Sequence, residues 1–159
     1  MGTVFVDITL VNVADRVMAK NGHLSEQDIR MISANVIVDT GAVTLIISEP
    51  VREKLGLGIT DRKEATLANN AKIICRVAEP VEIRWKRRVC VCQPWVLPGD
   101  GWILLGAIPL EDMDLMVDPR NQVLVGRHGE EQVGMLYGAM RGNHEPASLD
   151  DFAFASPAF

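Results

Sequence analysis

A mostly β domain, barrel-like or sandwich-like, is predicted by three features of this 159-residue chain. Short β-branched runs recur along it, turn residues separate most of them, and helical patterning is confined to brief stretches. The apolar share is 48% and the charged share 23%, the balance of a globular protein and not of a disordered or membrane-embedded one. A chain of this length can bury one hydrophobic core. The expected organisation is a single domain over residues 1–135 and a flexible tail over 136–159.

Residues 3–12 are rich in β-branched side chains, with Thr3, Asp7 and Thr9 alternating against apolar neighbours, and predict a strand. Asn21-Gly22 supplies a turn, and residues 25–28 form a polar link. Residues 32–38 predict a second strand, which stops at Asp39-Thr40-Gly41, and residues 43–47 resume the strand pattern. Ser48 then suits a helix cap, Pro50 its first turn and Gly56 its end.

Two hairpins are expected next. In one, residues 65–68 and 72–77 flank Asn69-Asn70-Ala71, where Asn tolerates the positive φ of a tight turn; in the other, residues 81–85 and 89–96 flank Lys86-Arg87-Arg88. Ile103-Leu104-Leu105 reads as a short apolar strand ended by Gly106, residues 109–113 as a short helix, and residues 115–117 and 123–125 as strands joined through the turn residues Asp118-Pro119-Arg120-Asn121.

Charge and composition exclude several function classes. A net charge of −5 repels phosphate backbones, so nucleic acid is not an expected partner. No apolar run approaches the roughly 18 residues of a membrane span. Asp7 interrupts the apolar beginning and the first arginine is Arg16, so no export signal is expected, and Val6 stands where a myristoylation signal needs Ser or Thr. Cys75, Cys90 and Cys92 are an odd, sparse set that fits a reducing cytoplasm better than a disulfide framework. Cys90 and Cys92 fall on one face of a strand and with Cys75 would offer zinc three thiols, but His23, His128 and His144 show no ligand spacing; the cysteines read as small apolar side chains, and no metal or cofactor is expected. The acidic group Glu111, Asp112, Asp114 and Asp118 lacks the spacing of a calcium loop and reads as a solvated helix face. The basic run from Arg84 to Arg88 reads as an exposed hairpin tip.

Hydrolysis of a peptide by carboxyl groups needs two of them, one to deprotonate water and one to protonate the carbonyl oxygen. Two carboxyls a hydrogen bond apart share a proton, and their pKa values split into those of a base and an acid. Asp39 is placed for such work: the apolar strand Val36-Ile37-Val38 holds its loop, and Gly41 allows a sharp turn beside a substrate. Asp118 lacks the following Thr-Gly and stands before Pro119 in a turn, which argues against its serving as the second carboxyl.

The run Val36-Ile37-Val38-Asp39-Thr40-Gly41-Ala42 resembles the active-site signature of the retropepsin-like aspartic proteases, a clan that includes retroviral proteases and small bacterial homologues. Leu104-Leu105-Gly106 is similar to the family's second motif, which packs beneath the active-site loop, and the following Val117-Asp118-Pro119 resembles the bacterial branch. The resemblance covers roughly residues 30–126. It implies a retropepsin-like closed barrel with one or two short helices, and a catalytic Asp39 in a loop with Thr40, Gly41 and Ala42. It also implies a substrate-covering flap at Leu67, Ala68, Asn69, Asn70 and Ala71. Because the chain holds one such triplet, it further implies a homodimer acting on a peptide or protein substrate, with the two Thr40 hydroxyls bonding beneath the aspartates. Ala107 stands where retroviral members carry Arg, and the flap turn is Asn-Asn where the family favours glycine. Those departures motivate the alternative of a dimeric domain of the same fold that binds peptides or proteins without cleaving them.

Overall fold

The computed structural model describes residues 2–130; the expected tail lies outside the described residues. Strand β1 (Val4–Asn12) is followed by helix α1 (Val13–Lys20), a 3-10 turn at Glu26–Asp28, and β2 (Met31–Val38). The chain continues through β3 (Ile46–Ser48), α2 (Glu49–Leu55), and the hairpin of β4 (Ile59–Thr66) and β5 (Lys72–Ala78). A second hairpin of β6 (Val81–Trp85) and β7 (Arg88–Cys92) precedes β8 (Trp95–Leu97), β9 (Leu104–Leu105) and α3 (Ala107–Asp112). The strands β10 (Leu115–Asp118) and β11 (Val123–Gly126) then pair as a separate antiparallel ribbon.

The other nine strands form one mixed sheet in the order β4-β5-β8-β3-β9-β2-β1-β6-β7. Laid flat at the usual strand spacing, such a sheet would be roughly 38 Å wide. Yet Cys90 of β7, Leu10 of β1, Leu105 of β9 and Val96 of β8 belong to one buried cluster with Leu55, Leu110 and Met113. The sheet therefore curls around a single core as a half-barrel. It corrects the expectation of a closed barrel, because β4 and β7 stand at the two ends of the sheet without pairing to each other. A strand as charged as β4, which carries Asp61, Arg62, Lys63 and Glu64 and is exposed along most of its length, suits a sheet edge.

Helix α1 fills the stretch between the expected strand and the turn at Asn21-Gly22. Asn12 is its N-cap, accepting from the Asp15 N–H at 3.0 Å, while its amide donates to the Leu55 carbonyl at the end of α2 at 2.8 Å. One buried side chain thus satisfies the open ends of two helices. Ser48 precedes α2 as expected, but its hydroxyl makes no capping bond. Gly56 ends that helix at φ +64°, the left-handed region glycine enters without penalty. Residues 43–45, expected as strand, are loop, and β3 begins only at Ile46.

Burial reverses two of the polar expectations. Arg88 is 2% exposed and lies inside the protein, not at a hairpin tip; Lys86 and Arg87 alone make that turn. Its guanidinium donates to the carbonyls of Met113 at 2.6 Å, Asp114 at 3.1 Å and Gly129, and lies 3.6 Å from the Asp114 carboxylate. Asp114 is likewise buried, not part of a solvated face, and its other oxygen lies 2.6 Å from His128 Nδ1.

Asp15 is also buried, and Arg30 reaches it with two guanidinium N–H groups at 2.7 Å and with its backbone N–H at 2.9 Å. These bonds hold the Asp15 carboxyl below its ordinary pKa against the opposing effect of burial. Hydrogen bonds from Arg52 hold Glu49 down, and those from Asn121 hold Asp118 down. A folded pKa below the unfolded value of about 4 contributes stability that is complete above that pH and is lost as pH falls through the folded value. Stability is therefore expected to drop steeply below about pH 4. In Arg30→Leu, chemical denaturation measured from pH 7 to pH 2 should show a lower plateau and a shallower acid slope.

Candidate functional site

The loop that follows β2 is fixed from three sides. Strand β9 lies between β2 and β3, parallel to the first (Ile37↔Leu104, Val38↔Leu105) and antiparallel to the second (Ile46↔Leu104). It therefore bridges the two ends of the loop at residues 39–45. The Asp39 N–H donates to the Leu105 carbonyl at 3.0 Å, continuing the β2–β9 ladder to the aspartate itself. At the start of α3, the N–H groups of Ala107 and Ile108 donate to the carbonyls of Ala42 at 2.8 Å and Val43 at 3.0 Å. Helix-start donors that would otherwise lack partners thus hold the loop backbone.

Gly106 is what makes that closeness possible. A Cβ there would lie 2.6 Å from the Ala42 carbonyl oxygen and would also meet the Thr44 backbone. Since the obstacles are backbone atoms, Gly106→Ala should cost about 1–3 kcal/mol through overpacking. Thermal unfolding would report the loss, and faster amide exchange at Ala107 and Ile108 would place it at this contact.

Within the loop, the Gly41 N–H donates to Asp39 Oδ1 at 2.9 Å, and the Ala42 N–H to the Asp39 carbonyl at 3.1 Å. The first bond orients the carboxylate and leaves its second oxygen available. Asp39 is half-buried, while Thr40 and Gly41 are exposed. The loop thus presents a fixed carboxylate to the surface rather than burying it in an ion pair.

Asp39, Gly41 and Ala42 line one side of a cleft of about 510 Å³, and Thr66, Leu67 and Ala68 line the other. The β4–β5 hairpin carries that second wall. Thr66 pairs with Lys72 at its last register step, the Leu67 N–H donates to the Ala71 carbonyl at 2.8 Å, and the Ala71 N–H donates to Asn69 Oδ1 at 3.0 Å. Asn70 takes φ +62°, the conformation expected of an asparagine in this turn. Between the walls the cleft floor is apolar, formed by Ile46, Ile73, Trp95, Leu97 and Leu104. The structure therefore brings Asp39, Gly41, Ala42, Leu104 and the start of the 67–71 turn to one place, while Thr40 lines a separate depression with Val4, Val38 and Pro119, and Leu105 and Gly106 act from beneath.

One further carboxylate, Glu64, borders the cleft, but it is exposed and ion-paired with Lys72 at 2.7 Å. By strand alternation it shares a face with its partner Ile74, opposite to the face of Ala65 and Ile73. Asp118 accepts the N–H groups of Arg120 and Asn121 at 3.0 and 3.1 Å in its own turn, so its carboxylate serves local structure. No group of metal-ligating side chains occurs among the described residues. Cys75 and Cys90 are buried and Cys92 half-buried, and burial raises all three thiol pKa values, that of Cys90 to about 12. The thiols are accordingly neutral and poor nucleophiles. No helix among the described residues is long and apolar enough to cross a membrane.

The floor of the cleft was not identified from sequence. Trp95 and Leu97 alternate along β8, and that periodicity was the available signal, but only the pairing of β8 with β3 and β5 puts them under Asp39.

The structure is similar to that of the retroviral protease-like domain of Ddi1 from Leishmania major, with 13% sequence identity, a TM-score of 0.49, and coverage of 79% of this chain and 88% of that one. No protein-family model and no curated protein sequence matches the chain.

Proposed function

We propose that the chain is one subunit of a homodimeric aspartic endopeptidase, in which the Asp39 carboxyls of two chains activate a water molecule. The observation that carries this reading is the meeting of a braced, surface-presented Asp39 with a hairpin turn across one apolar cleft. An extended peptide lying between loop and turn would place a carbonyl over Asp39 and its side chains on the apolar floor.

The chemistry requires a second carboxyl, and within one chain Glu64 and Asp118 are both otherwise engaged. A second copy of the exposed Asp39-Thr40-Gly41 loop would provide it on a two-fold axis. One Asp39 carboxylate then takes a proton from water while the water oxygen bonds to the peptide carbonyl carbon, and the other, protonated, Asp39 gives its proton to the carbonyl oxygen. Collapse of the resulting tetrahedral diol breaks the carbon–nitrogen bond as the amine takes up a proton. No covalent enzyme intermediate forms. Thr40, exposed beside Asp39, is the residue whose hydroxyl would bond across the axis.

Incubation with a degenerate peptide pool over a range of pH, followed by mass spectrometry, tests the proposal. New peptide termini should appear with the native chain and not with Asp39→Asn. Cleavage that is equal in both would remove Asp39 from the chemistry. Saturable peptide binding without cleavage would favour a binding domain, the reading for which Ala107 and the Asn69-Asn70 turn speak.

A further inference from the structure

Bordering β2, and sharing no lining residue with the Asp39 cleft, lies a second depression of about 280 Å³ lined by Asn35, Ser48, Val51, Asp100, Trp102 and Ile103. Three features set it apart from ordinary surface. Trp102 is 62% exposed and makes an edge-to-face contact with Phe5 at 5.6 Å between ring centroids. An indole left this open is uncommon on a surface with no ligand to cover it. The Ser48 hydroxyl is buried and without a hydrogen-bond partner, and Ser48 is 2% exposed. Such an orphan is rare in native proteins.

The polar groups are of one kind. Asn35 donates its amide N–H to Asp7 Oδ1 at 2.8 Å, which leaves the Asn35 carbonyl oxygen as an acceptor. Asp100 is an exposed carboxylate, Asp7 bonded to Asn35 is another, and the Ser48 hydroxyl oxygen is a further acceptor. No Lys, Arg or His lines the depression among the described residues. Acceptors, a carboxylate and an open aromatic face, with apolar Val51 and Ile103 between them, match a long side chain with a cationic donor head.

We propose that this depression binds an arginine side chain of a partner polypeptide. Its guanidinium stacks on Trp102 and donates to Asp100 and Asn35, and its methylene stem lies against Val51 and Ile103. The planar five-donor head satisfies several acceptors at once while stacking, which an ammonium cannot do. This site is independent of the chemistry at Asp39 and holds whether or not the chain cleaves peptides.

Titration of the isotopically labelled full chain with an acetylated, amidated Gly-Gly-Arg-Gly-Gly peptide, followed by NMR, tests the assignment. The Trp102 indole N–H and the Asn35 side-chain amide should shift saturably. The matching Lys peptide should bind at least threefold more weakly, and the matching Glu peptide should cause no saturable shift. Asp100→Asn should weaken the Arg peptide at least fivefold, and Trp102→Ala should abolish its binding while the rest of the amide spectrum stays folded. Equal shifts with Arg and Glu peptides, or Arg binding unchanged in Asp100→Asn, would overturn the proposal. So would an absence of saturable shifts with any peptide.

Discussion

Asp39→Asn is expected to reduce peptide hydrolysis at least about a thousandfold while leaving the chain folded, because removing an essential acid–base group forfeits a factor on the order of 10²–10⁴ even before the split of the shared proton is lost. Asn keeps the shape of Asp39 and can still accept the Gly41 N–H, so loop geometry should persist. Mixed subunits sharpen the prediction. If native and Asp39→Asn chains exchange freely in equal amounts, roughly one dimer in four carries two aspartates by simple combination. Activity per native chain should therefore fall to roughly half on mixing. A chain that acted alone would show no such loss. A variant with reduced activity and a lower melting temperature would instead indicate a structural role for the carboxylate.

Arg88→Met is expected to cost about 3–5 kcal/mol of stability, the usual cost of breaking a buried charge pair by removing one partner. Arg88 ties three separate segments together: its own strand β7, the Met113–Asp114 turn after α3, and Gly129. Without it, three carbonyls lose a donor and the buried Asp114 carboxylate loses its guanidinium, keeping its bonds to His128. Urea denaturation should show a lower midpoint with an unchanged slope. Arg88→Lys should lie between the two, since one ammonium retains the charge but cannot span the fork. A loss below about 1 kcal/mol for Arg88→Met would show that this junction is relaxed enough for water to replace the guanidinium.

Much of the candidate site was legible in the sequence because its signals are local. An apolar strand running into Asp39-Thr40-Gly41, an apolar pair before Gly106 and an asparagine turn at 69–70 each report a backbone requirement that only a few residue types meet. The hairpins and the β10–β11 ribbon were legible for the same reason. Helix α1 carried a readable signal, Asn12 followed three residues later by Asp15, but its valines favour a strand, and the cap decides the outcome.

What stayed hidden depends on distant partners. A run such as Lys86-Arg87-Arg88 looks solvated until the turn at Asp114 and the carbonyl of Gly129 supply acceptors for one member of it. Asp114 reads as surface for the same reason, since its cation is 26 residues away in the chain. Strand order is likewise non-local: β9 slips between β2 and β3, and the sheet curls without closing. The notch at Trp102 draws on β2, β3, α2 and the loop before β9, so no single segment announces it.

The claim that one Asp39 is half of a site is tested most directly by peptide cleavage measured per chain across a dilution series, alongside sedimentation velocity in the same buffer. Specific activity should fall in step with the dimer fraction and approach zero as the chain becomes monomeric. A specific activity that stays constant while sedimentation shows only monomer would contradict a two-chain site.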